Sequence, residues 1–215
     1  MTTAVDEASG RLALTRVQLG ALADVVAGRA AAPEAVRALE AAGAMERGEP
    51  HPLLSPVLRT LATVRGWGAL RRWHGRAWPV VEIMVGAGGV VVLPGGPAPE
   101  AVQELRWHPR PAAAGRIVSE LLALPSRPGP PVAGSGPTEW SELVALASAP
   151  GRPVGLADLR WSAGLGGPLA SVLVLAWHDG GGIDRLDPEG DGSTVRATAV
   201  HPLEVWTGLT RLSAA

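Results

Sequence analysis

The 215-residue chain has no cysteine, which excludes a disulfide framework, a zinc–thiolate site and a cysteine nucleophile. Lysine, asparagine, phenylalanine and tyrosine are missing too, and all nineteen basic residues are arginine, a bias typical of very GC-rich coding sequence. Without Phe or Tyr, the eight Trp must supply every large aromatic side chain the core needs, so most of them read as structural. No apolar run approaches the roughly 18 residues of a membrane span, and MTTAVDEASG at the start lacks the basic flank of a secretion signal. A soluble, cytoplasmic protein is expected. The formal net charge of −1 gives no global pull toward nucleic acid or an anionic membrane, so a polyanion site would have to be a local patch.

What is present is 47% apolar sequence, enough for one sizeable core, and a single domain over 1–215 is the simplest reading. LTRVQLGALADVVAG, residues 14–28, carries a helix start. Thr15 and Gln18 have capping-box spacing, Leu14 and Leu19 fit a hydrophobic staple, and Gly28 supplies the stop. A second helix follows from Pro33 toward Gly43. A third lies in HPLLSPVLRTLATV, where Ser55 before Pro56 makes a better cap than His51 before Pro52. The N-terminal third thus reads as a small helical bundle.

Beyond Trp67 the texture becomes β-rich. AWPVVEIMVGAGGVVVLPGG gives two strands joined by a turn at 86–89, VQELRW a third, and HPRPAAAGRIVSELLAL a helix. PSRPGPPVAGSGPT, residues 125–138, has the composition of a linker between halves at about 14–124 and 139–212. WSELVALAS reads as a helix, four further runs (VGLADLRW, ASVLVLAW, GGIDRLD and STVRATAV) as strands, and HPLEVWTGLTRL as a closing helix. VQELRWHP and VRATAVHP each end a set of strands and lead into a helix, which marks a weak internal duplication. The His-Pro step suits such a corner, because the residue before proline is held extended and proline is pre-set for a helical first turn. Histidine is not a favoured cap, so its identity there reads as incidental.

The cofactor motifs fail one by one, and no cofactor is expected. His51, His74, His108, His178 and His201 lack metal-ligand spacing. Gly86-Ala87-Gly88 resembles the opening of a dinucleotide fingerprint, but a strand rather than a helix follows it, which favours a hairpin turn. Asp187 to Gly192 resembles a calcium loop, yet Thr198 stands where a bidentate Glu is required. The motif G-x-S-x-G is absent, though a triad assembled in space leaves an enzyme of unrecognised type as one alternative. The other alternative is a DNA-binding regulator. Arg59, Arg65, Arg71, Arg72 and Arg76 occur with no acid between them, and ALEAAGAMERGE resembles the helix end and turn of a winged-helix reader. Near-neutral total charge weighs against nucleic acid, and the alternation with Trp67 and Trp73 also fits a half-exposed edge strand.

AVRALEAAGAMERGEPHPLLSPVLRTLA, and LAWHDGGGIDRL followed by VRATAVHPLEVWTGLTRL, resemble the corresponding segments of the EspG family, cytosolic chaperones of actinobacterial type VII (ESX) secretion. The resemblance covers most of the chain beyond residue 14. It implies an α+β fold, a quasi-twofold twisted antiparallel sheet flanked by helical bundles. It also implies an adaptor without turnover, binding the apolar tip of a helical secretion substrate of PE/PPE or WXG type; from composition no membrane partner is expected, and nucleic acid is the disfavoured alternative. By matching segments the contacts fall on a hairpin loop, Val85, Gly86, Ala87 and Gly88, and on the last helix, Trp206 and Leu209. Core packing is the competing reading for Trp206 and Leu209.

Overall fold

The computed structural model describes residues 5–6, 11–26, 28–78, 80–94, 102–125, 132, 137–152, 154–164, 167–179 and 181–212. Two strands, β1 (Val5–Asp6) and β2 (Arg11–Thr15), precede α1 (Arg16–Val26) and α2 (Pro33–Ala41). A separate hairpin of β3 (Met45–Glu46) and β4 (Glu49–Pro50) leads through a 3-10 turn at Pro52–Leu54 into α3 (Ser55–Ala62). Four strands follow: β5 (Gly66–His74), β6 (Val81–Gly86), β7 (Gly89–Pro94) and β8 (Val102–His108). A 3-10 turn at Pro111–Ala113 then opens α4 (Ala114–Leu122). The second half runs β9 (Pro137–Glu139), α5 (Trp140–Ser148), β10 (Val154–Ser162), β11 (Ala170–His178), β12 (Ile183–Glu189), β13 (Thr194–Val200) and α6 (Pro202–Leu212).

The start of α1 follows the capping-box chemistry. The Thr15 N–H donates to Gln18 Oε1 at 2.9 Å and the Gln18 N–H donates to Thr15 Oγ1 at 3.1 Å, while Leu14 and Leu19 are both buried. Residues 11–15 form a strand that the helical reading of this region does not include. The entry to α3 also differs from expectation. Leu54, not Ser55, occupies the N-cap position and makes no side-chain bond; the chain turns one step earlier, where His51 Nδ1 accepts the Leu53 N–H at 3.3 Å. At the C-terminal corner His201 Nδ1 accepts the Leu203 N–H at 3.2 Å in the same way. Histidine at these two corners is therefore a working cap, since a neutral imidazole carries one acceptor nitrogen. At the third corner a different residue, Arg110, precedes the 3-10 turn, without a side-chain cap.

Among the described residues the principal sheet has eleven antiparallel strands in the order β1-β2-β8-β7-β6-β5-β10-β11-β12-β13-β9. Moving outward from the β5–β10 pair, β6, β7, β8 and β2 on one side answer to β11, β12, β13 and β9 on the other. In each half a strand leads into helix, four strands of meander and a final helix. This is a quasi-twofold α+β fold, and its axis passes near the Leu70–Leu159 pair. β5 is consequently a central strand, hydrogen-bonded on both sides, where its Arg/Trp alternation had suggested an edge.

Alternation along each strand sorts side chains onto the two faces. One face carries Leu70, Ile83, Val85, Val90, Leu159, Leu175 and Trp177 against α4 and α6, which cross near the axis. The other face is covered on one side by α1 to α3 over Met84, Val91, Leu93 and Leu105, and on the other by α5 over Val154, Leu156, Val174 and Leu186. Most of the proposed linker 125–138 lies outside the described residues. Within it, Val132 donates its N–H to Asp184 Oδ2 at 2.7 Å and packs against the α5 core.

Candidate functional site

The closing helix α6 is amphipathic in a way that divides the two residues the sequence pairs. Val205 and Leu209, four apart, turn inward, and Leu209 is 0% exposed. Trp206 is 47% exposed and Leu203 64%, so these two, three apart, form an outward apolar pair. Core packing thus accounts for Leu209 and not for Trp206. Leu203, which sequence reasoning passed over, was recoverable from the 205/209 stripe, because two residues back from Val205 is about 200° round the helix, on the side away from the core. Alongside, Leu203, Glu204, Thr207, Gly208 and Arg211 line a shallow groove of about 340 Å³.

The hairpin loop between β6 and β7 is seated on α3. Val85 is buried in the core beneath α4 and α6. A Cβ at Gly88 would stand 2.6 Å from the Pro56 carbonyl oxygen, and one at Gly86 would overlap that of Thr60, so only glycine allows the approach. The Ala87 N–H donates to Thr63 Oγ1 at 2.8 Å, and Trp107 Nε1 donates to the Gly88 carbonyl at 3.2 Å. Within the loop, Ala87 alone is exposed. The structure brings Val85 and Leu209 into one core cluster, while Gly86, Ala87 and Gly88 lie against α3, on the sheet face opposite α6.

The basic stretch from Arg59 to Arg76 does not form one surface. Arg59 lies on α3, Arg65 precedes β5, and Arg71 and Arg72 are neighbours on a strand and so point to opposite faces. Arg71 is exposed opposite Asp158 of β10. Arg72 reaches toward α4, donating Nη1 to the Leu121 carbonyl at 3.1 Å and lying 3.4 Å from His74 Nδ1 through Nη2. Its guanidinium sits over Trp78 at 5.2 Å and Trp177 at 5.8 Å. Burial lowers its pKa from the ordinary value, opposed by the charge of Asp179.

His74 closes this cluster, with Nε2 at 3.1 Å from Asp179 Oδ1. An Asp–His pair invites a catalytic reading. Here, however, the second ring nitrogen faces Arg72, and neither nitrogen is left for a nucleophile or substrate. His108 sits between β8 and α4, and its pKa is lowered chiefly by burial, with Arg116 and Arg106 acting in the same direction and Glu120 against it. The acidic end of β12 and the turn that follows it are occupied internally: Asp187 pairs with Arg185 at 3.0 Å, Glu189 pairs with Arg196, and Asp191 accepts the Ser193 N–H at 2.9 Å. Among the described residues no three His, Asp or Glu side chains group so as to hold a metal. No described helix is long and apolar enough to cross a membrane.

No protein-family model matches the chain, and no curated protein matches it in sequence. Among solved structures, the fold is similar to that of the Mycobacterium tuberculosis type VII secretion system chaperone EspG5, determined in complex with a PE25–PPE41 dimer. The likeness covers 94% of this chain and 95% of that one at a TM-score of 0.53, with 11% sequence identity. At that identity it is a likeness of fold, and it extends over the whole quasi-twofold architecture.

Proposed function

We propose that this chain is a non-enzymatic adaptor, a cytoplasmic chaperone that holds the apolar tip of a helical type VII secretion substrate of PE/PPE or WXG type. The observation that carries the reading is the outward Leu203–Trp206 pair on α6, in a fold similar end to end to that of a secretion chaperone. A buried core cannot use these two side chains, whereas a helical partner can cover both along one face. Leu209 and Val85 support the docking face from beneath, and Ala87, at the tip of the loop formed with Gly86 and Gly88, is the accessible point of a second contact.

The test is co-expression with the helical PE/PPE-type and WXG-type proteins encoded in the same genome. The expected result is a soluble complex that survives gel filtration, and that Leu203→Asp with Trp206→Asp abolishes while far-UV circular dichroism of the chain stays unchanged. No complex with any of them, together with salt-sensitive duplex binding lost in Arg71→Gln, would instead support the DNA-binding reading.

A further inference from the structure

Beside α4 the quasi-twofold face leaves a cavity of about 470 Å³, within the range of about 300 to 1,000 Å³ typical of small-ligand sites. Its walls are mostly apolar: Leu70, Val81, Val92, Pro94, Leu121 and the indole of Trp78. One cation stands in this wall with an unusual set of partners. Arg72 carries five N–H donors. The bonds it makes go to the Leu121 carbonyl and to the His74 ring, neither of them a carboxylate, and its buried Nε has no hydrogen-bond partner among the described residues. Asp179, the acid whose charge reaches it, is bonded to His74 instead.

Arg106 also lines the cavity but is engaged in an interaction of its own, so the head-group contact falls to Arg72. Glu120 also lines it, but is 65% exposed and pairs with Arg116 at 3.5 Å, which places it at the rim. A cationic ligand would find no aromatic face, since Trp78 already carries the guanidiniums of Arg72 at 5.2 Å and Arg76 at 4.7 Å.

We infer that this cavity binds a small amphiphilic monoanion, an aliphatic chain ending in a carboxylate, with the chain along Leu70, Val81 and Val92 and the head on Arg72. A carboxylate accepts charge-assisted bonds from the Nη hydrogens that the Leu121 carbonyl and His74 leave over, and such bonds are the strong ones. The body of the ligand replaces water against apolar walls.

Decanoate below its aggregation limit is the probe, compared by titration calorimetry with its methyl ester and with decyltrimethylammonium. The expected outcome is saturable binding of one decanoate per chain, about tenfold or more tighter than the ester, with none of the cation. Arg72→Gln should bring decanoate down to the level of the ester, and Leu121→Trp, which fills the cavity from its half-buried wall, should weaken both. The comparison of the three amphiphiles on the unaltered chain needs no variant, so misfolding of either substitution leaves the test intact. Absence of saturable decanoate binding, equal affinity for acid and ester, or binding untouched by both variants in folded protein would overturn the inference.

Discussion

Single atoms decide several features of this molecule. At Gly115 on α4, a Cβ would stand 2.8 Å from the Leu209 carbonyl oxygen on α6, so the two axial helices approach with no room for a methyl group. Gly115→Val should force them apart and cost about 1–3 kcal/mol in urea unfolding, while the exposed Gly208→Ala should not. The imidazole caps are equally local. His201→Ala should cost about 1 kcal/mol, and His201→Asn, which restores an acceptor at the cap, should recover most of it. His108 supplies a pH dependence. Its folded pKa is lowered by burial, so below about pH 6.5 the unfolded chain binds a proton that the folded chain resists, and stability falls on acidification. Replacing it in His108→Gln should flatten that part of the profile, as judged by urea melts at about pH 7.5 and pH 5.

At the level of elements, α6 separates stability from recognition. Leu209→Ala should destabilise by about 2–5 kcal/mol, because the side chain is fully enclosed, while Leu203→Ser with Trp206→Ser should stay within about 0.5 kcal/mol each and act only on partner capture. Elements of this kind were legible in sequence wherever periodicity and punctuation agreed. The Thr15/Gln18 box, the tight turn between β6 and β7, and the strand–helix exit after Val200 are all local signals. The short strands β2 and β9 were not legible, because five and three residues cannot show a period, and they are strands only through pairing with β8 and β13 far along the chain. β5 misled for the same reason: whether an Arg/Trp strand is central or marginal depends on β10, which arrives eighty residues later. The Arg72–His74–Asp179 cluster joins β5 to the end of β11 and has no sequence signature beyond three polar residues of ordinary type.

For the whole molecule the duplication matters more than any motif. The core beneath α4 and α6 draws side chains from both halves, including Leu70 and Val92 from the first and Leu159 and Trp177 from the second. Neither half can close that core alone. Cleavage engineered between residues 126 and 131 should therefore yield two fragments that co-purify as a one-to-one complex when made together and are insoluble when made apart. Independent folding of either fragment would count against the shared core.

The indoles at the centre of the sheet have an optical consequence. Trp177 lies across Gly155 on the neighbouring strand and Trp161 lies over Gly66 and Gly68, each ring so close to bare main chain that a methyl group there would displace it. Chromophores clamped in a single asymmetric setting give strong near-ultraviolet dichroism, and with phenylalanine and tyrosine absent that spectrum belongs to tryptophan alone. Loosening of the midline should therefore dim these bands before the far-ultraviolet signal of the strands declines, so that the protein carries its own gauge of side-chain order.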